Sequence, residues 1–189
     1  METVERKIVY SGWMTMTILT FRLPDGRTMK REVLEHARAV AVLPYDAERR
    51  VALLVRQFRA PVFAAAGESE LLEVIAGIID DGEAEATAKR EAWEEGGLRL
   101  RELEPLAVTW PSPGMMTERV SLFLAPYRAA DRIAAGGGLA DEHEDIEVVE
   151  IPLDELAAMA DSGKLTDMKT FALVQTLRLR KPALFGPKP

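Results

Sequence analysis

Residues 71–97 read LLEVIAGIIDDGEAEATAKREAWEEGG, and this stretch constrains the fold more than any other. An apolar run rich in Leu, Val and Ile reads as a strand, and an acidic turn bounded by Gly77 and Gly82 follows. From about residue 84 to 96 the composition of Ala, Lys, Arg and Glu is helix-forming. A rotation of about 100° per residue places Glu91, Glu94 and Glu95 on one face of that helix. Like charges so stacked cost a helix a few tenths of a kcal/mol per contact. A solvated acidic face would relieve this by interleaving Lys or Arg, yet the residues three and four away from Glu91 are Thr87, Ala88, Glu94 and Glu95. Only Arg90 to Glu94 is a complementary spacing. Hard oxygen donors gathered without counter-charge suit Mg²⁺ or Mn²⁺.

The remaining pattern predicts a mixed α/β protein. Residues 7–35 alternate apolar and polar positions around Pro24-Asp25-Gly26, which predicts two or three antiparallel strands with an Asp-Gly turn, a unit too small to fold alone. RAVAVLPYDAERRVALLVRQFR, from 38, predicts two stronger strands around a turn. Further strands are expected near LAVTW, RVSLFLAPY and IEVVEI, with a short helix over LDELAAMADSG and a last helix from about Asp167 to Arg180. AADRIAAGGGLADEHED is expected to be a mobile loop. Trp93, turned away from the glutamates, is expected in the core. The organisation expected is an N-terminal β unit over 1–37 and a main domain over 38–189.

Composition excludes several classes of function. With no cysteine among 189 residues, disulfides and thiolate chemistry are ruled out and a cytoplasmic location is expected. The first ten residues, METVERKIVY, lack the apolar centre of a secretion signal, and no apolar run reaches the roughly 18 residues of a membrane span. A net charge of −7 argues against a nucleic-acid partner. A phosphorylated small molecule could still bind through an intervening cation.

AGIIDDGEAEATAKREAWEEGGL, residues 76–98, resembles the signature of the Nudix hydrolases, with Gly77, Glu83, Arg90, Glu91, Glu94, Glu95, Gly97 and Leu98 in matching positions. Six residues instead of seven separate Glu83 from Arg90, and Ala92 is a small occupant of a hydrophobic position. The shortening bears on Glu83 rather than on the glutamates downstream. VRQFRAP at 55–61 and SPGMMTE at 112–118 are similar to segments of the ADP-ribose and GDP-mannose pyrophosphatase branch, and GGGLADEHEDIEV at 136–148 resembles its acidic loop. The fold implied is the Nudix α/β/α sandwich with a mixed sheet, preceded by a small antiparallel β unit that such relatives exchange between two subunits, hence a homodimer.

The resemblance also implies roles. Glu91, Glu95, Glu94 and the carbonyl of Ala76 would hold the metal, Mg²⁺ or, as the alternative, Mn²⁺, with Arg90 bracing the glutamates. Glu142 or Glu144 would act as base or further ligand, with His143 between them a bystander. Arg56, Arg59, Pro113 and Lys169 are the candidates for substrate contact. The activity implied is hydrolysis of a nucleoside diphosphate sugar to a nucleoside monophosphate and a sugar phosphate; a non-catalytic nucleotide sensor is the alternative. The shortened spacing and the Lys169-Thr170 pair lean towards GDP-mannose, the acidic loop towards ADP-ribose, and the loop gives ADP-ribose a slight edge.

Overall fold

Two adjacent strands supply the centre of the computed structural model, which describes residues 1–80, 82–138 and 145–186. To reach them the chain first forms β1 (Glu2–Ser11), β2 (Thr15–Arg22) and β3 (Thr28–Glu35), an antiparallel sheet in that order. The first strand begins at Glu2, five residues before the expected start at Lys7, and is exposed along its whole length. Leu23 and Arg27 close the expected Asp25-Gly26 turn, with Leu23 N–H donating to Arg27 O at 2.8 Å.

β4 (Ala39–Asp46) and β5 (Val51–Gln57) then enter a mixed sheet, seven-stranded among the described residues. Its main path is β10-β5-β4-β9-β8, with β6 (Leu71–Glu73) on β5 and β7 (Ile75–Ile78) on β4. β8 spans Glu104–Thr109, β9 Val120–Pro126 and β10 Glu147–Pro152. β4 is buried at all eight positions because it is covered on both faces. It runs parallel to β9 from Ala39 to Tyr45, pairs with β7 through its first half, and touches β5 only at Tyr45 and Asp46. β4 and β5 therefore diverge beyond their shared turn, and β6, on β5, and β7, on β4, lie between them.

The two-residue period of the strands sorts their side chains into two cores. Ala41, Leu43, Leu54 and Leu124 pack with Leu156, Leu173 and Leu177 from α3 (Leu153–Asp161) and α4 (Met168–Arg180). Val40, Val42, Leu53 and Val55 pack on the opposite face with Ala88 and Ala92 from α2 (Ala84–Glu94). This is the expected α/β/α sandwich. Truncating one of the fully buried leucines, as in Leu173→Ala, would cost about 2–5 kcal/mol.

The expectation for Trp93 fails, and two further features were not foreseen, each for a physical reason. Trp93 is 43% exposed. The glutamate side of α2 is itself the side turned towards the sheet, burying Thr87, Ala88, Glu91 and Ala92, so a residue facing away from it meets solvent. A short helix, α1 (Ala60–Ala66), occupies a segment with no predicted element; it buries none of its residues and so leaves no apolar stripe to read. At the start of the loop expected from residue 129, the backbone bonds back to the end of α2. Gly137 N–H donates to Glu95 O at 2.8 Å and Gly138 N–H to Glu94 O at 3.1 Å, filling carbonyls that the helix end leaves without partners. Gly97, at φ 66°, makes the turn off α2, and a side chain there would strike the backbone of Ala134.

Candidate active site

The ends of β5 and β6, the strand β7, the C-terminal half of α2 and the start of α4 line a cleft of about 780 Å³. One wall is α2. Glu95 is 3% exposed and Glu91 8%, so two carboxylates are nearly withdrawn from water. Arg90 forks between its neighbours, with Nη2 at 2.6 Å from Glu91 Oε1 and Nη1 at 2.6 Å from Glu94 Oε2. Burial opposes the charge on Arg90, but Glu91 and Glu94 outweigh it and raise the guanidinium above its ordinary value. Arg90 thus sits where the bracing role expected of it requires, its long side chain folding back to reach the adjacent Glu91. Ala76, in β7, donates its N–H to Glu95 Oε2 at 3.3 Å. Beside it Gly77 runs so close to α2 that a β-carbon would occupy the position of the Glu91 carboxylate.

These residues fit a hard divalent cation by donor chemistry. Three carboxylates and a backbone segment offer oxygen alone, and Gly77 keeps open the space that the Glu91 carboxylate fills. In the conformation shown, Arg90 engages two of the three, and among the described residues no three acidic or histidine side chains converge as a preformed ligand set. Binding would require Glu91 and Glu94 to exchange part of their contact with Arg90 for the metal.

A second charged group lies in the same cleft. Glu73, 2% exposed at the end of β6, accepts from Arg59 Nε at 2.6 Å and from Lys169 Nζ at 3.1 Å. Lys169 also donates to Asp167 Oδ1 at 2.7 Å. Asp167 caps α4 by accepting from Thr170 N–H at 2.8 Å and from its hydroxyl at 2.7 Å. Burial favours the neutral carboxyl of Asp167, but Lys169 and Thr170 overcome this and hold it below the usual carboxylate range. Burial likewise opposes the charge of Lys169, and the two carboxylates raise it above the usual lysine value.

Of the candidates for substrate contact, the cleft takes in Arg59 and Lys169. Arg56 is not brought to its wall: the strand pleat turns it from Gln57, which lines the cleft, and its Nη1 lies 3.1 Å from Glu147 Oε2 on the β5–β10 seam. Pro113 is also off the wall, within a turn where Met116 N–H donates to Ser112 O at 2.9 Å; Pro111 and Glu118 of the same loop reach the cleft instead. Glu142, His143 and Glu144 lie outside the described residues. Sequence reasoning missed Glu73, Asp167 and His36. His36 meets the Trp13 ring edge-on at 4.9 Å, and its Nδ1 is 3.3 Å from Glu118 Oε1. A lone acid inside the apolar run LLEVIAG was the available signal for Glu73.

The NUDIX domain model matches residues 35–172, a range that includes the α2 wall, Arg59, Glu73 and Lys169. The chain belongs to the Nudix family. This Nudix chain is 35% identical over 181 residues to the GDP-mannose pyrophosphatase of Escherichia coli O1:K1 / APEC, covering 93% of this chain and 94% of the relative. It is 36% identical over 184 residues to the GDP-mannose pyrophosphatase of Cronobacter sakazakii (strain ATCC BAA-894), covering 95% of each. A solved ADP compounds hydrolase shares the fold, with a TM-score of 0.75, 18% identity, and coverage of 96% of this chain and 94% of that one.

Proposed function

We propose that this chain hydrolyses the diphosphate linkage of nucleoside diphosphate sugars in a metal-dependent reaction, giving a nucleoside monophosphate and a sugar phosphate. The observation that carries the reading is one cleft holding an acidic wall and a cationic pair together. A diphosphate brings negative charge that must be met on entry, and its hydrolysis requires a positioned water and stabilisation of the charge that develops. Glu91, Glu94, Glu95 and the Ala76 carbonyl are the groups we assign to a divalent cation, Mg²⁺ or Mn²⁺. Such an ion, when bound, supplies charge neutralisation at the phosphates and acidifies a water.

The chain's own groups do the rest. Arg90 orients Glu91 and Glu94 through the two contacts already given. Arg59 and Lys169 bind phosphate oxygens, and Glu142 or Glu144 accepts the proton of the attacking water or adds a ligand. The relatives named GDP-mannose pyrophosphatase cover nearly the whole chain, so GDP-mannose, rather than the slightly favoured ADP-ribose, becomes the preferred substrate in this reading.

The test is to incubate the protein with GDP-mannose and with ADP-ribose, each with Mg²⁺ and with Mn²⁺, and to separate the products by chromatography. GMP and mannose 1-phosphate, formed with the higher kcat/KM, are expected. Cleavage confined to nucleoside triphosphates, or no cleavage at all, would refute the proposal.

The working unit we propose is a homodimer. β1 is exposed along its length, and a small sheet of this kind needs a partner surface to cover it. Sedimentation at micromolar concentration should give about twice the 20.9 kDa chain mass, and a fully active monomer would exclude the assignment.

A further inference from the structure

Glu73 is a buried carboxylate for which the proposed reaction has no chemical step. Burying a carboxylate costs several kcal/mol unless partners replace its water, and this one is satisfied by cations from two distant parts of the chain. Arg59 follows β5, and Lys169 lies in the first turn of α4. Each contacts Glu73, at 2.6 Å and 3.1 Å respectively, and Glu73 is the contact that the two share. Arg59 bonds through Nε, so the outer edge of its guanidinium remains available; among the described residues its Nη1 and Nη2 make no hydrogen bond. Both side chains line the cleft and are partly exposed within it.

We infer that Glu73 is a positioning residue that fixes Arg59 and Lys169 as a preset pair of cations for the diphosphate of the substrate. The inference rests on the proposed substrate class and adds a group that makes no contact with substrate. Two effects of Glu73 on anion affinity compete. Its charge lowers the positive potential that an anion meets, while its two bonds hold flexible side chains in one arrangement and remove the entropy cost of ordering them on binding. The geometry favours the second: Glu73 takes one nitrogen of Arg59 and leaves two donors of a rigid fork directed elsewhere.

The experiment compares wild type with Glu73→Gln, which keeps shape but loses charge. Pyrophosphate binding is measured by calorimetry in EDTA, and steady-state kinetics on GDP-mannose are measured with Mg²⁺. Glu73→Gln should weaken pyrophosphate binding by about tenfold and raise KM by a similar factor while kcat moves less than about threefold, the pattern of lost uniform binding. Adding Lys169→Met should give a combined loss smaller than the product of the single effects, because both act through one contact. If Glu73→Gln does not fold, Glu73→Asp, which keeps charge but loses reach, should show the same weakening. Unchanged binding, or tighter binding as expected of a group that merely cancels charge, overturns the inference, as does absence of pyrophosphate binding by the wild type. Weakened binding by the variant in a protein that cleaves no diphosphate sugar would sink the proposed function and leave the positioning role standing.

Discussion

The α2 wall and the Glu73 group are both carboxylate clusters in one cleft, and they differ in how their acids are held. On the α2 wall Arg90 reaches Glu91 and Glu94 while Glu95 accepts from the Ala76 N–H; around Glu73, the carboxylates of Glu73 and Asp167 are tied to two cations, Arg59 and Lys169. A neutralised cluster is complete as it stands, and its ion pairs can hold side chains in place. The α2 wall instead gathers three carboxylates at one helix end, two of them almost fully buried, where oxygen donors are grouped as a hard cation requires. Counting acids would equate the two clusters. Asking where the acids gather and what holds them separates a candidate site for a cation from a scaffold for anion contacts.

The comparison is tested hardest at Glu95. Glu95→Gln should lower kcat at least about a hundredfold while circular dichroism remains native, since one proposed ligand is lost and the fold does not depend on its charge. Near-normal turnover at saturating Mg²⁺ would break the assignment of the α2 wall. Gly77→Ala comes next. Its methyl group must displace the Glu91 carboxylate, so kcat/KM should fall by about tenfold and the Mg²⁺ concentration for half-maximal activity should rise. An unaltered Mg²⁺ titration would show that Glu91 is free to leave that position without consequence.

On the neutral cluster the effects should be mainly on stability. Asp167→Ala removes the α4 cap and should cost about 1 kcal/mol, or roughly 2–4 °C in Tm. The pH dependence follows from the directions of the shifts. Asp167 is held below the usual carboxylate range, so its contribution is present above its unfolded value and is lost as pH falls through the lower folded one. Lys169 is raised, so its contribution is present below the usual lysine value and is lost as pH climbs through the folded one. The Tm difference between wild type and Asp167→Asn should therefore shrink on acidification below the carboxylate range; a constant difference would mean the charge of Asp167 contributes nothing. The smallest effect is expected at Arg56→Ala. Its pair with Glu147 is solvent-exposed and worth at most about 1 kcal/mol, so KM should shift by less than about threefold, well under the effect of Arg59→Ala. Equal effects at 56 and 59 would erase the distinction between seam and cleft.

What could be read from the sequence follows the range of the interactions. The α2 wall was legible because Glu91, Glu94 and Glu95 announce themselves within one turn, by a charge pattern that an isolated helix would avoid. The sandwich was legible because β4 and β5 are apolar enough to require cover on both faces. Glu73 was marked only by its place in an apolar run, and its role was not legible because its partners stand 14 and 96 residues away. Trp93 was misread through a rule that is sound only when a helix's charged face is its wet face. Ala92 illustrates the same close packing from the other side: it is fully buried, and at the neighbouring Gly96 a side chain would press on Ile75 and Leu53, so the small residue there answers a narrow gap.

β3 does not stop at the edge of its own sheet. Leu34 N–H donates to Met115 O at 2.9 Å, Thr117 N–H returns to Leu34 O at 3.0 Å, and Leu34 and Met116 form a parallel bridge. His36 N–H then donates to the Thr117 hydroxyl at 2.9 Å, and its ring stands beside Trp13 from the first hairpin. The loop carrying Pro111 and Glu118 to the cleft is thus laced to the N-terminal sheet by backbone bonds that cannot open singly. In the language of local unfolding, sheet and loop form one cooperative unit, whose amides at Leu34 and Thr117 should exchange with solvent in step. Whatever surface comes to cover the N-terminal sheet will slow that exchange, and the protection will extend to the mouth of the cleft.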